Sequence, residues 1–307
     1  MSVKLPSPGG LPYVTDGGLE TDLIFNHGFE LEEFAAFPLI YDEQGRRALA
    51  GYYAGYADIA RQAGAGLVLA TPTWRANTDW AGRIGYDAAA TDRANRDAVA
   101  FMRDLRDGWD DLPEVVVSGV IGPRGDGYVA GERPQLEEAA AYHRPQIESF
   151  AAAGADLVEA LTMTTPQEAA GIVSAANAVG LPVGILFTVE VDGTLPDGST
   201  LGEAIAVVDQ AGDAAYFGVN CAHPTHVAHG LTDADWVERI VELRPNASTI
   251  SHEELDAMTE LDAGDISFLV SSLEAVRTKL PGLLVVGGCC GTDARHVAGL
   301  WGQSRVG

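Results

Sequence analysis

The chain has 307 residues, 47% hydrophobic and 21% charged, a globular composition with enough apolar side chains for a large core. Its 44 acidic and 19 basic residues leave a formal charge of −25, a field that repels phosphate backbones and anionic lipid head groups and so argues against nucleic-acid and membrane partners. Three cysteines cannot all pair with one another, no apolar run approaches the roughly 18 residues of a membrane span, and the opening MSVKLPSPGGLPYV has no signal-peptide pattern. A cytoplasmic protein with reduced thiols is expected.

In chain order, a first β-rich run at Tyr13–Thr15 precedes a helical pattern at Arg46–Ala63, and Leu67–Thr71 precedes Asp92–Arg106. The alternation continues with a strand at Val115–Val120 and a helix at Leu136–Ala153, then Asp156–Leu161 with Pro166–Ala178, and Val183–Val189 with Leu201–Gln210. Tyr216–Asn220 follows, then a predicted helix at Asp235–Leu243, a seventh strand at Ala247–Ile250, a helix at Ile266–Lys279 and an eighth strand at Leu283–Val286. The helical segments carry apolar residues at spacings of three and four, and several end in glycine just before the next strand, as helix C-caps do.

Strands alternating with helices predict a parallel sheet. A doubly wound sheet would carry GxGxxG after its first strand, and TDGGLETD has no such pattern. Eight strands instead predict a (β/α)8 TIM barrel, which commonly takes about 250 residues as one unit. A single domain over residues 1–307 is expected, with the stretch Gly119–Pro134 as a long functional loop.

All three cysteines follow predicted strands: Cys221 ends AYFGVNC, and Cys289 with Cys290 ends LLVVGGCC. Those positions lie at the C-terminal face of a barrel, where active sites are built. Adjacent cysteines bridge each other only with strain, but both thiolates reach one tetrahedral ion, and Gly287 and Gly288 let the backbone come close. Three protein ligands with an open fourth position are the catalytic zinc arrangement, and three thiolates on Zn2+ keep a bound thiol electron-rich. Isolated buried cysteines or a vicinal redox pair would be the plainer readings, but a redox pair leaves Cys221 without a role. His223, His226 and His229 in CAHPTHVAH are further donors by type; His226 and His229 are expected past the metal, with His223 at most supporting it.

TDGGLETDL, GVNCAHP and VVGGCCGT together resemble the homocysteine S-methyltransferase family, and GPRGDGYVAGE and FTVEVDGTLPDGSTLGEAI support the resemblance over nearly the whole chain. The resemblance implies a zinc barrel that transfers a methyl group to the sulfur of homocysteine, with Cys221, Cys289 and Cys290 as zinc ligands. It assigns the amino acid's ammonium to Asp16 and its carboxylate to the amides of Gly17 and Gly18, although a DG pair by itself also makes a plain tight turn. Asn220 matches the residue beside the first ligand and would orient it. No catalytic side chain is implied beyond the metal-activated thiol of the substrate.

Two positions depart from the family pattern. Relatives carry a Glu after strand four where DLVEALTMT places Leu161; Glu159 lies two residues earlier on the same strand face, one layer deeper, either as a substitute or as a buried partner for an arginine. In TPTWRAN, Trp74 offers a π-face to a cationic donor and Arg75 suits a carboxylate or a nearby acid. Glu190 and Asp192 could attract an onium donor by charge. The chain is too short for a barrel plus a folate or cobalamin domain, so the donor expected is small: S-methylmethionine first, or S-adenosylmethionine. The alternatives are a different thiol or selenol acceptor, and a non-catalytic zinc or redox-sensing protein.

Overall fold

A computed structural model describes residues 4–7, 9–131 and 133–303; residues 1–3, Pro8, Glu132 of the GPRGDGYVAGE motif and residues 304–307 lie outside the described residues. Eight strands run parallel in sequential order and close into a barrel. They are β1 (Tyr13–Val14), β2 (Gly66–Ala70), β3 (Val115–Ile121), β4 (Leu157–Met163), β5 (Val183–Phe187), β6 (Tyr216–Asn220), β7 (Ile240–Arg244) and β8 (Val285–Val286). Closure falls on the shortest strands, where Tyr13 pairs with Val285 and Val14 with Val286.

The main helices are α1 (Glu43–Ala63), α2 (Ala88–Arg106), α3 (Leu136–Ala153), α4 (Pro166–Val179), α5 (Leu201–Ala211), α6 (Pro224–Gly230), α7 (Ile266–Arg277) and α8 (Ala294–Leu300). The expected glycine endings are present: α3 and α4 stop on left-handed Gly154 (φ 80°) and Gly180 (φ 78°), residues with no Cβ to clash there. Each returns the chain directly to the next strand.

The strands' period of two divides the core. Outward residues such as Leu67, Leu69, Val117, Val158 and Ile185 pack with the helices, and inward residues such as Tyr13, Val68, Val116, Leu157, Leu186 and Tyr216 fill the barrel. Each fully buried aliphatic or aromatic side chain contributes about 1.5–3 kcal/mol. Three inward positions carry acidic or basic side chains, Glu159 on β4 and Glu242 and Arg244 on β7, all buried.

Those charges explain the one misplaced strand. The sequence reading has a helix at Asp235–Leu243 and strand seven at Ala247–Ile250. In the structure a 3-10 turn at Asp235–Arg239 leads straight into β7, which pairs Asn220 with Arg244 and Glu242 with Val285. Trp236, Ile240 and Leu243 fit a helical stripe as well as a strand, and Glu242 and Arg244 mimic a solvated helix face because nothing local marks them as buried. Residues 247–250 form the loop above β7, where the Ala247 N–H donates to the Cys290 carbonyl at 3.2 Å.

Candidate metal centre and substrate cavity

Backbone bonds bring the three cysteines together at the C-terminal mouth. The Cys221 N–H donates to the Arg244 carbonyl at 3.0 Å, the Cys289 N–H to Pro245 at 2.8 Å, and the Gly288 N–H to Asp16 at 2.8 Å. The Sγ atoms of Cys221, Cys289 and Cys290 all lie within 4.8 Å of one another, and those of Cys221 and Cys290 are 3.5 Å apart. Sulfurs bound at about 2.3 Å in a tetrahedron stand roughly 3.8 Å apart, so the set fits one thiophilic ion. Among the described residues no histidine or carboxylate joins this cluster.

Neighbouring side chains hold the cluster in place. The Asn220 amide donates to the Thr162 hydroxyl at 2.8 Å and toward the Cys289 Sγ at 3.7 Å, while its carbonyl accepts from the Thr162 N–H at 2.7 Å. Thr162 and Cys221 both adopt left-handed backbone, φ 61° and 57°, a strained state for residues with a Cβ that the surrounding bonds must maintain. From the loop after β3, the Tyr128 hydroxyl lies 3.3 Å from both the Cys221 and Cys290 sulfurs. The Tyr128 ring stacks on His252 at 4.3 Å, and His252 Nε2 bonds the Cys221 carbonyl at 2.7 Å. Neither Tyr128 nor His252 stood out in the sequence; each depends on a loop returning to the mouth.

The thiols differ electrostatically. Hydrogen bonds from Cys221 and Cys290, with Arg244 and Asn220 close by, hold the Cys289 thiol well below its ordinary value. Bonds to Cys289 and Cys290, with burial, push the Cys221 thiol well above its own. Cys289 is therefore the thiol most easily ionised, and a bound cation would offset the repulsion among all three.

Behind the thiols lies a buried charge network. Arg244 forms an ion pair with Asp16, each side chain about 5% exposed, and its Nε donates to the Gly288 carbonyl at 3.2 Å. Tyr52 also donates to Asp16, at 3.3 Å. Burial raises the Asp16 carboxyl even against Arg244's pull, and burial beside Glu159 pushes the Glu242 carboxyl well up. Glu159 accepts from the Tyr216 hydroxyl at 2.7 Å and is not among the residues lining the cavity. At the cavity wall, strand four presents Leu161 and Thr162 instead, because each step of two residues along the strand descends one layer. Arg244, the key to Asp16, was hidden in the misplaced strand.

The thiols open into a cavity of about 390 Å³ lined by Asp16, Gly17, Gly18, Glu20, Trp74 and Arg75, among others. A Cβ on Gly17 would lie 2.6 Å from the Tyr56 hydroxyl, and one on Gly18 would lie 2.5 Å from the Cys289 carbonyl oxygen; the paired glycines let the first loop settle onto the cysteine segment. The Gly18 N–H is already donated to the Thr292 carbonyl at 3.1 Å, so it is not free for a substrate carboxylate. Arg75 is buried rather than exposed, its guanidinium 4.0 Å from the Trp74 ring and 3.6 Å from the Trp80 ring. Burial lowers its pKa to about 10, which leaves it charged at neutral pH, and one face of Trp74 is taken by this internal cation.

Other acids and histidines turn elsewhere. Glu190 pairs with His252 Nδ1 at 2.9 Å and Asp192 accepts from Thr194; neither lines the cavity. His223 caps α6 and bonds the Thr225 hydroxyl at 2.8 Å. His226 and His229 lie on α6, bonded to the carbonyls of Thr249 and Val191.

Residues 13–301 match the family described as homocysteine S-methyltransferase. The chain belongs to the homocysteine S-methyltransferase family. It is thus an S-methyltransferase built on a TIM barrel. Among solved structures, the homocysteine methyltransferase MmuM from Escherichia coli in its metallated form shares the fold at TM-score 0.72, 22% identity and 96% coverage of each chain. The apo form of that protein superposes at TM-score 0.64, again with 22% identity, over 95% of each chain. A search of curated proteins gives no match.

Proposed function

We propose that this S-methyltransferase moves a methyl group from a small onium donor, S-methylmethionine first or S-adenosylmethionine, to the thiol of homocysteine, giving methionine, with Zn2+ held by Cys221, Cys289 and Cys290. The observation that carries it is the convergence of three sulfurs on the floor of a cavity sized for small molecules. Bound there, zinc would ionise an incoming thiol and leave it nucleophilic, because three thiolates keep the site electron-rich.

The protein's own residues position and exclude. Asn220 fixes the strand ends that carry Cys289 and Thr162, and Arg244 with Tyr52 fixes Asp16 at the cavity wall. Gly17 and Gly18 keep the first loop thin beside the thiols. The stacked Tyr128 and His252 cover the sulfurs from the β3 side and limit water around the developing thiolate. Arg75, clamped between two tryptophans, is a fixed cation for the carboxylate of donor or acceptor. Catalysis then comes mainly from alignment of the thiolate with the methyl carbon in line with the leaving sulfur. A site that depends on reduced thiols fits the cytoplasm.

The test is zinc-loaded, reduced protein incubated with homocysteine and S-methylmethionine or S-adenosylmethionine labelled in the transferred methyl. Labelled methionine is expected over many turnovers and is lost on chelation and in Cys290→Ala. Turnover that survives both chelation and Cys290→Ala would contradict the zinc assignment. No labelled methionine from either donor would favour a different thiol or selenol acceptor, the second reading, which rests on apolar Leu161 at the cavity wall.

A further inference from the structure

Each of the three sulfurs has a hydrogen-bond donor beside it, and two of them share the same one. Asn220 serves Cys289, its amide nitrogen 3.7 Å from the Sγ. The Tyr128 hydroxyl lies 3.3 Å from the Sγ of Cys221 and 3.3 Å from that of Cys290. Several contacts put the phenol there. The Asp126 carboxylate accepts from the Tyr128 N–H at 2.7 Å and from the Val129 N–H at 3.1 Å, which turns the loop after β3 back over the mouth. The Tyr128 ring lies flat on His252, centroids 4.3 Å and planes 11° apart. His252 is itself held at both ring nitrogens, Nδ1 by Glu190 at 2.9 Å and Nε2 by the Cys221 carbonyl at 2.7 Å. Loops from β3, β5 and β7 thus converge to fix one hydroxyl against two thiols.

The charge of the loaded site gives that hydroxyl a task. Three thiolates on a divalent ion leave one negative charge, and an acceptor bound as thiolate makes it two, with Cys221 buried and Cys289 and Cys290 partly so. Arg244, the cation behind the cluster, is already committed to Asp16 and to the Gly288 carbonyl. Buried anionic charge is costly unless hydrogen bonds take it up. We propose that Tyr128 is a positioning residue of the metal centre: its hydroxyl donates to the Cys221 and Cys290 thiolates, one proton shared between two sulfurs, withdraws charge from them and so lets the ion take a fourth thiolate. This rests on the acceptor reading above and adds the group that balances the charge of the loaded site.

The test compares Co2+-loaded wild-type protein with Tyr128→Phe, which keeps a ring on His252 and removes only the hydroxyl. Loss of the hydrogen bond raises the energy of the sulfur lone pairs, so the sulfur-to-cobalt charge-transfer band of the variant is expected at longer wavelength, with one cobalt still bound per protein and the ligand-field bands in place. Homocysteine, followed by its own charge-transfer rise, should bind the variant about tenfold more weakly, the scale of one charge-assisted hydrogen bond. A band at the wild-type wavelength with unchanged homocysteine affinity overturns the proposal and leaves Tyr128 as packing. Lost cobalt or displaced ligand-field bands in the variant mark a structural role and also overturn it. Wild-type protein that holds cobalt but shows no charge-transfer rise with homocysteine refutes the acceptor reading, and this proposal with it, whereas a normal rise identical in both proteins refutes this proposal alone.

Discussion

Glu20 shows how a single residue of the cavity wall affects stability. Its carboxyl titrates at about 7 in the fold against an ordinary 4.5, so the folded state favours the protonated form. That contribution is fully present below pH 4.5 and is lost as the pH rises through 7. Glu20→Gln is therefore expected to match wild-type protein in thermal midpoint near pH 4.5 and to exceed it at pH 8, measured by thermal melts across that range. An equal or lower midpoint for the variant at pH 8 would contradict the assigned burial. The three cysteines were legible in the sequence because their residue type and strand-end positions already state a chemistry. Glu20 was not, since a Glu after a turn reads as an ordinary helix-start acid until the cavity behind it is seen.

At the scale of elements, β4, β6 and β7 hold the site through their ends. Asn220 closes β6 and bonds both the backbone and the hydroxyl of Thr162 at the strained end of β4. Asn220→Ala leaves a buried N–H at Thr162 without its partner, a loss of about 1–3 kcal/mol, and frees the segment beside Cys289. The expected outcome is a lowered urea midpoint together with zinc affinity weakened about 10–100-fold, as for partners of metal ligands generally, with competition against a chelating dye as the readout. Unchanged zinc affinity would limit Asn220 to a structural part. Seven of the eight strands could be read from periodicity, since their apolar runs end at recognisable turn residues. The seventh could not: Glu242 and Arg244 are charged, and only a closed barrel, with Glu159, Tyr216 and Asp16 arriving from other strands, makes their burial tolerable. The layer separating Glu159 from the cavity, by contrast, was legible from its two-residue offset from Leu161; its bond to Tyr216 from β6 was not.

For the whole molecule, the barrel brings to one mouth residues as distant in sequence as Asp16, Tyr128, Cys221 and Cys290, and this convergence turns three thiols into a centre. The net charge of −25 gives the molecule as a whole a field favourable to cations and unfavourable to polyanions. Among the described residues no helix is long and apolar enough to cross a membrane. The central claim, that an acceptor thiol binds the ion held by Cys221, Cys289 and Cys290, is tested most directly by replacing zinc with Co2+ and titrating homocysteine while recording the sulfur-to-cobalt charge-transfer absorption. A saturable rise in that absorption, with one homocysteine bound per protein, is the expected result. Cobalt absorption that stays constant up to saturating homocysteine, or protein that retains no metal with all three cysteines reduced, would contradict it.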